Sequence, residues 1–435
     1  MISTPGPVGR RYIERWKSCS VGLPSHTVFS QGDGIWLKDV DGKVYMDFAS
    51  QSAILGHRNP RLTAAIRDQM RKSGLSQVHG LARQQIEIVE KLREMLPPNL
   101  SAGRFYCCNT GSEACEYSME VARAYTRKPT LLAYLGGHYG WTIGALSLTA
   151  DWSESRRFCL PLIPEIVHIP YPYCYRCPIG HDYPDCGIFC LRYLENVLET
   201  MANPEEIAAV FMEPIQQVGG VVLPPREYVT ALKDLCEKHG ILMVVDEVAT
   251  GFGRTGKMFA TEHWDVLADI MFMGKAFGSG IPMGALAARR GILERNPGFP
   301  LYREWSPVSC VAALATIEEL QSRKLPEKSA QLGDHMIRAL RQLSDEHRLV
   351  GDIRGKGLLI GIELVKDHEK RKPATEEASR VAAEAFKRGL ILGCVGTHRH
   401  VIRLTPPLIM SREDSDRAVM ILDEALRAVE KRVRE

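Results

Sequence analysis

The sequence predicts an α/β protein, with a large domain whose mostly parallel sheet is covered by helices and a smaller α+β domain. Three observations lead to this class. Short Val/Ile/Leu/Met runs recur, each followed by a loop: TLLAYLGG, IVHIP, AAVFMEPIQ, ILMVVDEV and DIMFMGK. Helix-like stretches such as residues 227–240 separate several of them, the rhythm of parallel strands joined by crossover helices. From about Cys310 that rhythm gives way to long helical periodicity and isolated strands. The expected division is an N-terminal segment, 1–57, packing with the small domain, then a large domain, 58–307, and a small C-terminal domain, 308–435. Pro307 lies near the second boundary.

Each element has its own signal. Residues 32–57 alternate strand-like runs around Asp41-Gly42, a hairpin signature. Residues 59–96 have helical periodicity with charged outer positions. After the sheet-forming runs, a long helical stretch runs from Val311 to Ser322 and onward through Leu343. RGKGLLIGIELV follows as a strand, then a helix over 376–388, the runs GLILGCV and HVIRLTPPL, and a terminal helix from about Ser411.

Composition narrows the function classes. A chain of 435 residues can bury one large core and a second, smaller one. Its net charge of +3 is nearly balanced and gives no reason to expect nucleic acid or an anionic membrane as a partner. No apolar run approaches the ~20 residues that span a bilayer. The start, MISTPGPVGRRYIERWK, lacks an apolar signal core and reads as a packing arm, so a cytoplasmic location is expected. Cys107, Cys108, Cys115, Cys236 and Cys310 sit among apolar or small residues and read as inert core thiols.

The chemistry is concentrated at strand ends. ILMVV delivers Asp246, and IMFMG delivers Lys275, which precedes the glycine-rich AFGSG. An acid and a lysine at the ends of adjacent apolar strands suit pyridoxal 5′-phosphate (PLP). The amine forms a Schiff base, and the acid keeps the pyridine nitrogen protonated. Gly111-Ser112 opens a helix with apolar or small positions at 114, 117, 118, 121, 122 and 125. Backbone N–H groups there, with the Ser112 hydroxyl, form an anion site, although Thr-Gly-Ser before a helix also serves as a plain cap.

The order strand–DEV–TGFGRTG, then strand–GK, resembles the class III aminotransferases of PLP fold type I, from about Gly32 to about Leu426. The resemblance implies a homodimer that carries an amino group from an amino acid or amine to a 2-oxo acid by a ping-pong route. Lys275 would be Schiff-base lysine and proton shuttle. Pyruvate or 2-oxoglutarate is the implied acceptor, pyruvate favoured because no second arginine is recognisable. Gly111 and Ser112 match the family's phosphate cup, with Cys115 where the family often has Asn. Val248 would pack on one ring face. His138 falls at the stacking position of the other, with Tyr139 or Trp141 as alternatives. Glu213 would line the site, and Arg403 would hold the substrate carboxylate. Gln51 and Ser52 would line the substrate pocket. The chain also departs from the family: Val218 replaces an acid, Ala249 replaces a Gln, and Tyr302 stands where a neighbouring subunit's Thr reaches the phosphate, with Ser306 as a substitute.

Two further readings remain within the family. DFASQSAILGH resembles the Gln-containing pocket segment of 2,2-dialkylglycine decarboxylase. An amino-acid racemase or epimerase of the same fold is the other; it needs proton transfer on both faces of Cα, and Val218 removes one candidate group. A non-catalytic scaffold that uses PLP structurally is disfavoured by the intact Asp246, Lys275 and Arg403. Finally, Cys174, Cys177, Cys186 and Cys190 lie within seventeen residues with Pro and Gly between them. Four soft ligands at this spacing suit a structural zinc site, with disulfides or plain thiols as alternatives.

Overall fold

A computed structural model describes residues 5–20, 27–73, 81–295 and 305–434. A seven-stranded sheet dominates it. In chain order its strands are β1 (Arg104–Cys108), β2 (Thr130–Tyr134), β3 (Ile166–Ile169), β4 (Ile207–Met212), β5 (Leu242–Asp246), β6 (Ile270–Met273) and β7 (Gly284–Ala288). Their spatial order is β1-β7-β6-β5-β4-β2-β3. The five strands β6 to β3 pair in parallel, and β7 runs antiparallel to both β6 and β1. Every residue of β2, β4, β5 and β6 is buried. That is why these runs do not alternate: helices cover both faces, so neither face needs polar side chains.

Helix α1 (Gly111–Thr126) buries Ala114, Cys115, Ser118, Val121 and Ala122, one stripe at helical spacing, against this sheet. Thr110 caps its start by accepting the Glu113 N–H at 3.1 Å, and Glu113 returns the contact to the Asn109 N–H at 2.7 Å. Its end is set by Arg127 in the left-handed region, φ 62°. The helix of the 227–240 pattern runs Arg226–His239.

Two smaller sheets flank the large one. Phe29–Asp33, Trp36–Asp39 and Val44–Asp47 form a meander, and Leu390–Ile391 adds to it in parallel beside Met46 and Asp47. The turn between the last two meander strands holds Gly42 at φ 92°, a conformation that favours glycine. The other sheet is antiparallel, built from Val350–Lys356, Leu359–Asp367, Val401–Leu404 and Gly393–Val395, and is packed by helices Leu325–Ser344 and Thr375–Lys387.

Two helical expectations are corrected. The stretch expected as one helix from Val311 through Leu343 is two, Pro307–Ser322 and Leu325–Ser344. Lys324 turns left-handed at φ 50°, and Pro326 in the next first turn has no N–H to continue the ladder. The 59–96 pattern likewise holds Pro60–Ser73 and Arg83–Met95, each amphipathic in its own right. Tyr302 lies outside the described residues.

Candidate active site

Four strands of the large sheet end at one cavity of about 210 Å³. β5 ends on Asp246, β6 is followed by Gly274 and Lys275, β4 by Glu213, and β2 by the loop to His138. Carboxyl ends of parallel strands are where open α/β sheets bind ligands. Gly111, Ser112, His138, Glu213, Asp246, Val248 and Lys275, seven positions marked from sequence, all line this cavity. Tyr139, Gly140, Trp141, Gln217, Val218 and Ala249 complete it.

The polar groups differ in how they are held. Asp246 is buried, and one carboxylate oxygen accepts the Val248 N–H at 2.8 Å. Burial, then the nearby Glu213 carboxylate, push its pKa well above the usual range. Glu213 accepts backbone N–H groups from His138 and Gln217, each at 3.0 Å, and burial raises it in spite of them. Burial lowers Lys275 to about 8, aided by the Arg403 charge and opposed by Asp246 and Glu213. Lys275 also has φ 43°, left-handed for a non-glycine residue, in the turn that follows β6.

His138 is held by its ring. Nδ1 lies 2.9 Å from Asp151, which is 2% exposed. Asp151 also accepts the Trp152 N–H at 2.8 Å and the Ser155 hydroxyl. Burial raises Asp151, but the bonds from His138 and Ser155 outweigh it and leave the carboxylate below its ordinary range. Tyr139, an alternative to His138 for covering a ring, points away and donates its hydroxyl to the Phe211 carbonyl at 2.9 Å.

Whether PLP fits can be judged from these groups. The first N–H groups of α1, at Gly111 and Ser112, have no partner inside the helix and face the cavity, as a phosphate requires. Closeness there depends on glycine. A Cβ on Gly111 would meet Val248 Cγ2 at 2.8 Å, and one on Gly140, at φ 146°, would strike the Ser112 hydroxyl. Asp246 supplies a buried acid for a protonated ring nitrogen, and Lys275 an amine for an aldehyde. Gln217 is 1% exposed, and among the described residues neither end of its amide has a partner. A cavity with an anion cradle, a buried acid, an amine and an orphaned amide fits PLP with its substrate.

The substrate residues expected from sequence lie apart from the cavity lining. Arg403 is 9% exposed and donates through Nη2 to the Ala49 carbonyl at 3.1 Å. Among the described residues its Nε has no partner, and burial lowers the guanidinium to about 10. Among the described residues it makes no ion pair, yet its charge reaches Lys275. Gln51 and Ser52 follow Ala49. The Gln51 side-chain oxygen is buried without a partner, and the Ser52 carbonyl accepts the Ile54 N–H at 2.9 Å. Ser306 caps a helix by accepting the Ser309 N–H at 3.0 Å.

The cysteine cluster is not gathered as a metal centre. Among the described residues, no group of three or more His, Cys, Asp or Glu side chains is placed to hold a metal ion. Cys174, Cys177, Cys186 and Cys190 are free and partly buried; burial, with the neighbouring cysteines, lifts Cys174 to about 11 and Cys190 to about 12. The segment they bracket has a structural task. Tyr173 and Arg176 both bind the buried Glu363 of the C-terminal sheet, Arg176 at 2.6 and 3.0 Å. Arg354 joins the same carboxylate at 2.8 Å and holds the Gly220 carbonyl at 2.6 Å, just beyond Val218.

Sequence reasoning missed Gln217 and Asp151. Gln217 had a weak signal, a second amide beside Gln216 at the end of a fully apolar strand. Asp151 had none. It reaches His138 because Gly136 N–H binds the Ala150 carbonyl at 2.8 Å and Ala150 N–H binds the Gly137 carbonyl at 2.9 Å.

An acid, a lysine and a helix start around one cleft of a parallel sheet define a PLP enzyme of fold type I. The chain belongs to the class III aminotransferase family, whose model matches residues 20–426, and its cofactor is PLP. It is 36% identical to a leucine/methionine racemase of Thermococcus litoralis, over 94% of this chain and 91% of that one. It is 30% identical to a probable 4-aminobutyrate aminotransferase of Bacillus subtilis, over 95% and 96%. Among solved structures, an amine transaminase from an uncultivated Pseudomonas species in its PLP-bound form superposes with a TM-score of 0.87 at 30% identity, covering 94% of this chain and 97% of that one.

Proposed function

We propose that this enzyme transfers the amino group of an α-amino acid to a 2-oxo acid, pyruvate being the favoured acceptor. The observation that carries the reading is Lys275, an amine depressed to about 8 at a cavity that also holds Asp246 and the start of α1. When bound, PLP supplies an aldehyde carbon for the amine and an electron-withdrawing ring. Gly111 and Ser112 N–H groups would hold the phosphate, and Asp246 would hold a proton on the ring nitrogen. Val248 and His138 would cover the ring. Lys275 Nζ would take the proton from substrate Cα and carry it for the return transfer. Arg403, with Nε unpaired, orients the substrate carboxylate, and the same fork serves the 2-oxo acid in the return half. The same reading has the enzyme act in the cytoplasm as a homodimer.

The decarboxylase reading rests on Gln51 alone, which lies outside the cavity lining as Arg403 does. The test is the first half-reaction. PLP-loaded protein is mixed with alanine, 2-aminoisobutyrate, 4-aminobutyrate or 1-phenylethylamine, and pyridoxamine phosphate is followed by absorbance. Alanine should convert fastest, and pyruvate should reverse the change. Carbon dioxide from 2-aminoisobutyrate would favour the decarboxylase instead. No conversion with any donor would end the proposal.

A further inference from the structure

We infer that His138 and Asp151 form a second acid–base group in this cavity, and that through it the enzyme racemises amino acids as well as transferring their amino groups. The inference rests on the reading of the cavity as a PLP site for amino acids. Its basis is the arrangement of the two proton-carrying side chains. Lys275 leaves the sheet after β6 and His138 after β2, with β5 and β4 between them carrying Asp246 and Glu213. Three strand spacings put β6 and β2 roughly 14 Å apart, so the two groups reach the cavity from separate strands, with the ends of β5 and β4 between them.

The ring is fixed for proton transfer. Asp151 is buried, and an ionised carboxylate only accepts hydrogen bonds, so Nδ1 of His138 carries the hydrogen between them. Nε2 is then the bare nitrogen. It has no partner among the described residues, and His138 lines the cavity. A ring that merely covered the cofactor would need neither a fixed tautomer nor a buried carboxylate, whose desolvation is costly. The neighbouring groups are otherwise committed. The Tyr139 hydroxyl is bound to the Phe211 carbonyl, Glu213 accepts two backbone N–H groups, and Asp246 sits where the ring nitrogen is held. Val218 carries no exchangeable side-chain proton. Among the described residues, His138 is the group left to face Lys275.

The step balances without an oxidant. The Cα–H bond breaks, its proton goes to Lys275 Nζ, and its electron pair is taken up by the cofactor. Water supplies a proton to the bare Nε2 of His138, the imidazolium gives that proton to the opposite face of Cα, and the same pair forms the new C–H bond. The product is the enantiomer. Lys275 and His138 regain their starting states by proton exchange with water. Return of the proton by Lys275 to the cofactor carbon leads to amino transfer instead.

The test uses PLP-loaded enzyme with L-alanine, L-leucine and L-methionine in deuterium oxide. Chiral chromatography reads the D-enantiomer, mass spectrometry reads deuterium at Cα, and transfer to pyruvate is measured in parallel. The D-enantiomer should form and carry deuterium. His138→Phe keeps a flat ring without a proton. It should lower racemisation roughly 100-fold more than it lowers amino transfer. Independently of turnover, spectra of 15N-histidine-labelled protein should show His138 protonated at Nδ1, and Asp151→Asn should disturb that tautomer. Wild type that transfers amino groups but forms no D-enantiomer overturns the inference and leaves the aminotransferase reading standing. Loss of both reactions in wild type defeats that reading, and this inference with it. An unchanged ratio in His138→Phe, or an Nδ1 that carries no proton in wild type, removes His138 from the role.

Discussion

The depressed amine of Lys275 is a measurable property of the cofactor-free chain. Burial is its main cause, the Arg403 charge adds to it, and Asp246 and Glu213 oppose it, leaving the group at about 8 against an ordinary 10.5. At pH 7 roughly one Lys275 amine in eleven is then neutral, against roughly one in 3,000 for an unperturbed lysine, a gain of about 300-fold in nucleophile. Competitive labelling with trace acetic anhydride, followed by peptide mapping across pH, reads this directly. The label on Lys275 should reach half its maximum near pH 8. Arg403→Ala removes a repelling charge and should move that midpoint upward. Folding stability is linked to the same shift. Between about 8 and 10.5 the unfolded chain holds more protons on this lysine than the folded chain does, so stability of the cofactor-free protein rises with pH across that window. Below about 8 both states are protonated and the slope from this group vanishes. A labelling midpoint near 10.5, or no effect of Arg403→Ala, would refute the reasoning.

Three other expectations follow from the cavity. Asp246→Asn should still bind PLP but lose about 100-fold or more in turnover, because the amide cannot hold the ring nitrogen protonated; kcat and bound cofactor are measured together. Arg403→Ala should lower kcat/KM for α-amino acids about 10- to 150-fold, the worth of a charged hydrogen bond, and change 1-phenylethylamine little. Gln217→Leu removes a buried amide with no partner. It should stabilise the cofactor-free chain to urea by roughly 1–3 kcal/mol and give a smaller gain, or a loss, once PLP and substrate analogue are bound.

What could be read in the sequence was local. Asp246 and Lys275 stood out because a charge ending a wholly apolar run conflicts with burial unless a ligand receives it. Gly111 and Ser112 stood out because a helix start carries its own anion site. Parallel strands then bring these ends to one edge, so the convergence at the cavity follows from topology. Other features depend on how distant segments return. Asp151 reaches His138 only through two backbone bonds at Gly136 and Gly137. Arg403 was legible as a buried arginine, but its position behind Ala49 depends on a strand pairing across the C-terminal sheet. The break at Lys324 had a signal in Pro326, outweighed by the apolar periodicity on either side. The cysteine spacing reported proximity but not the orientation of four thiols.

The central claim is that Lys275 carries the cofactor. Borohydride reduction of the PLP-loaded protein, followed by proteolysis and mass spectrometry, tests it most directly. The account predicts a single pyridoxyl group on the peptide that contains Lys275. A pyridoxyl group on any other lysine, or none on a protein that has bound PLP, would contradict it.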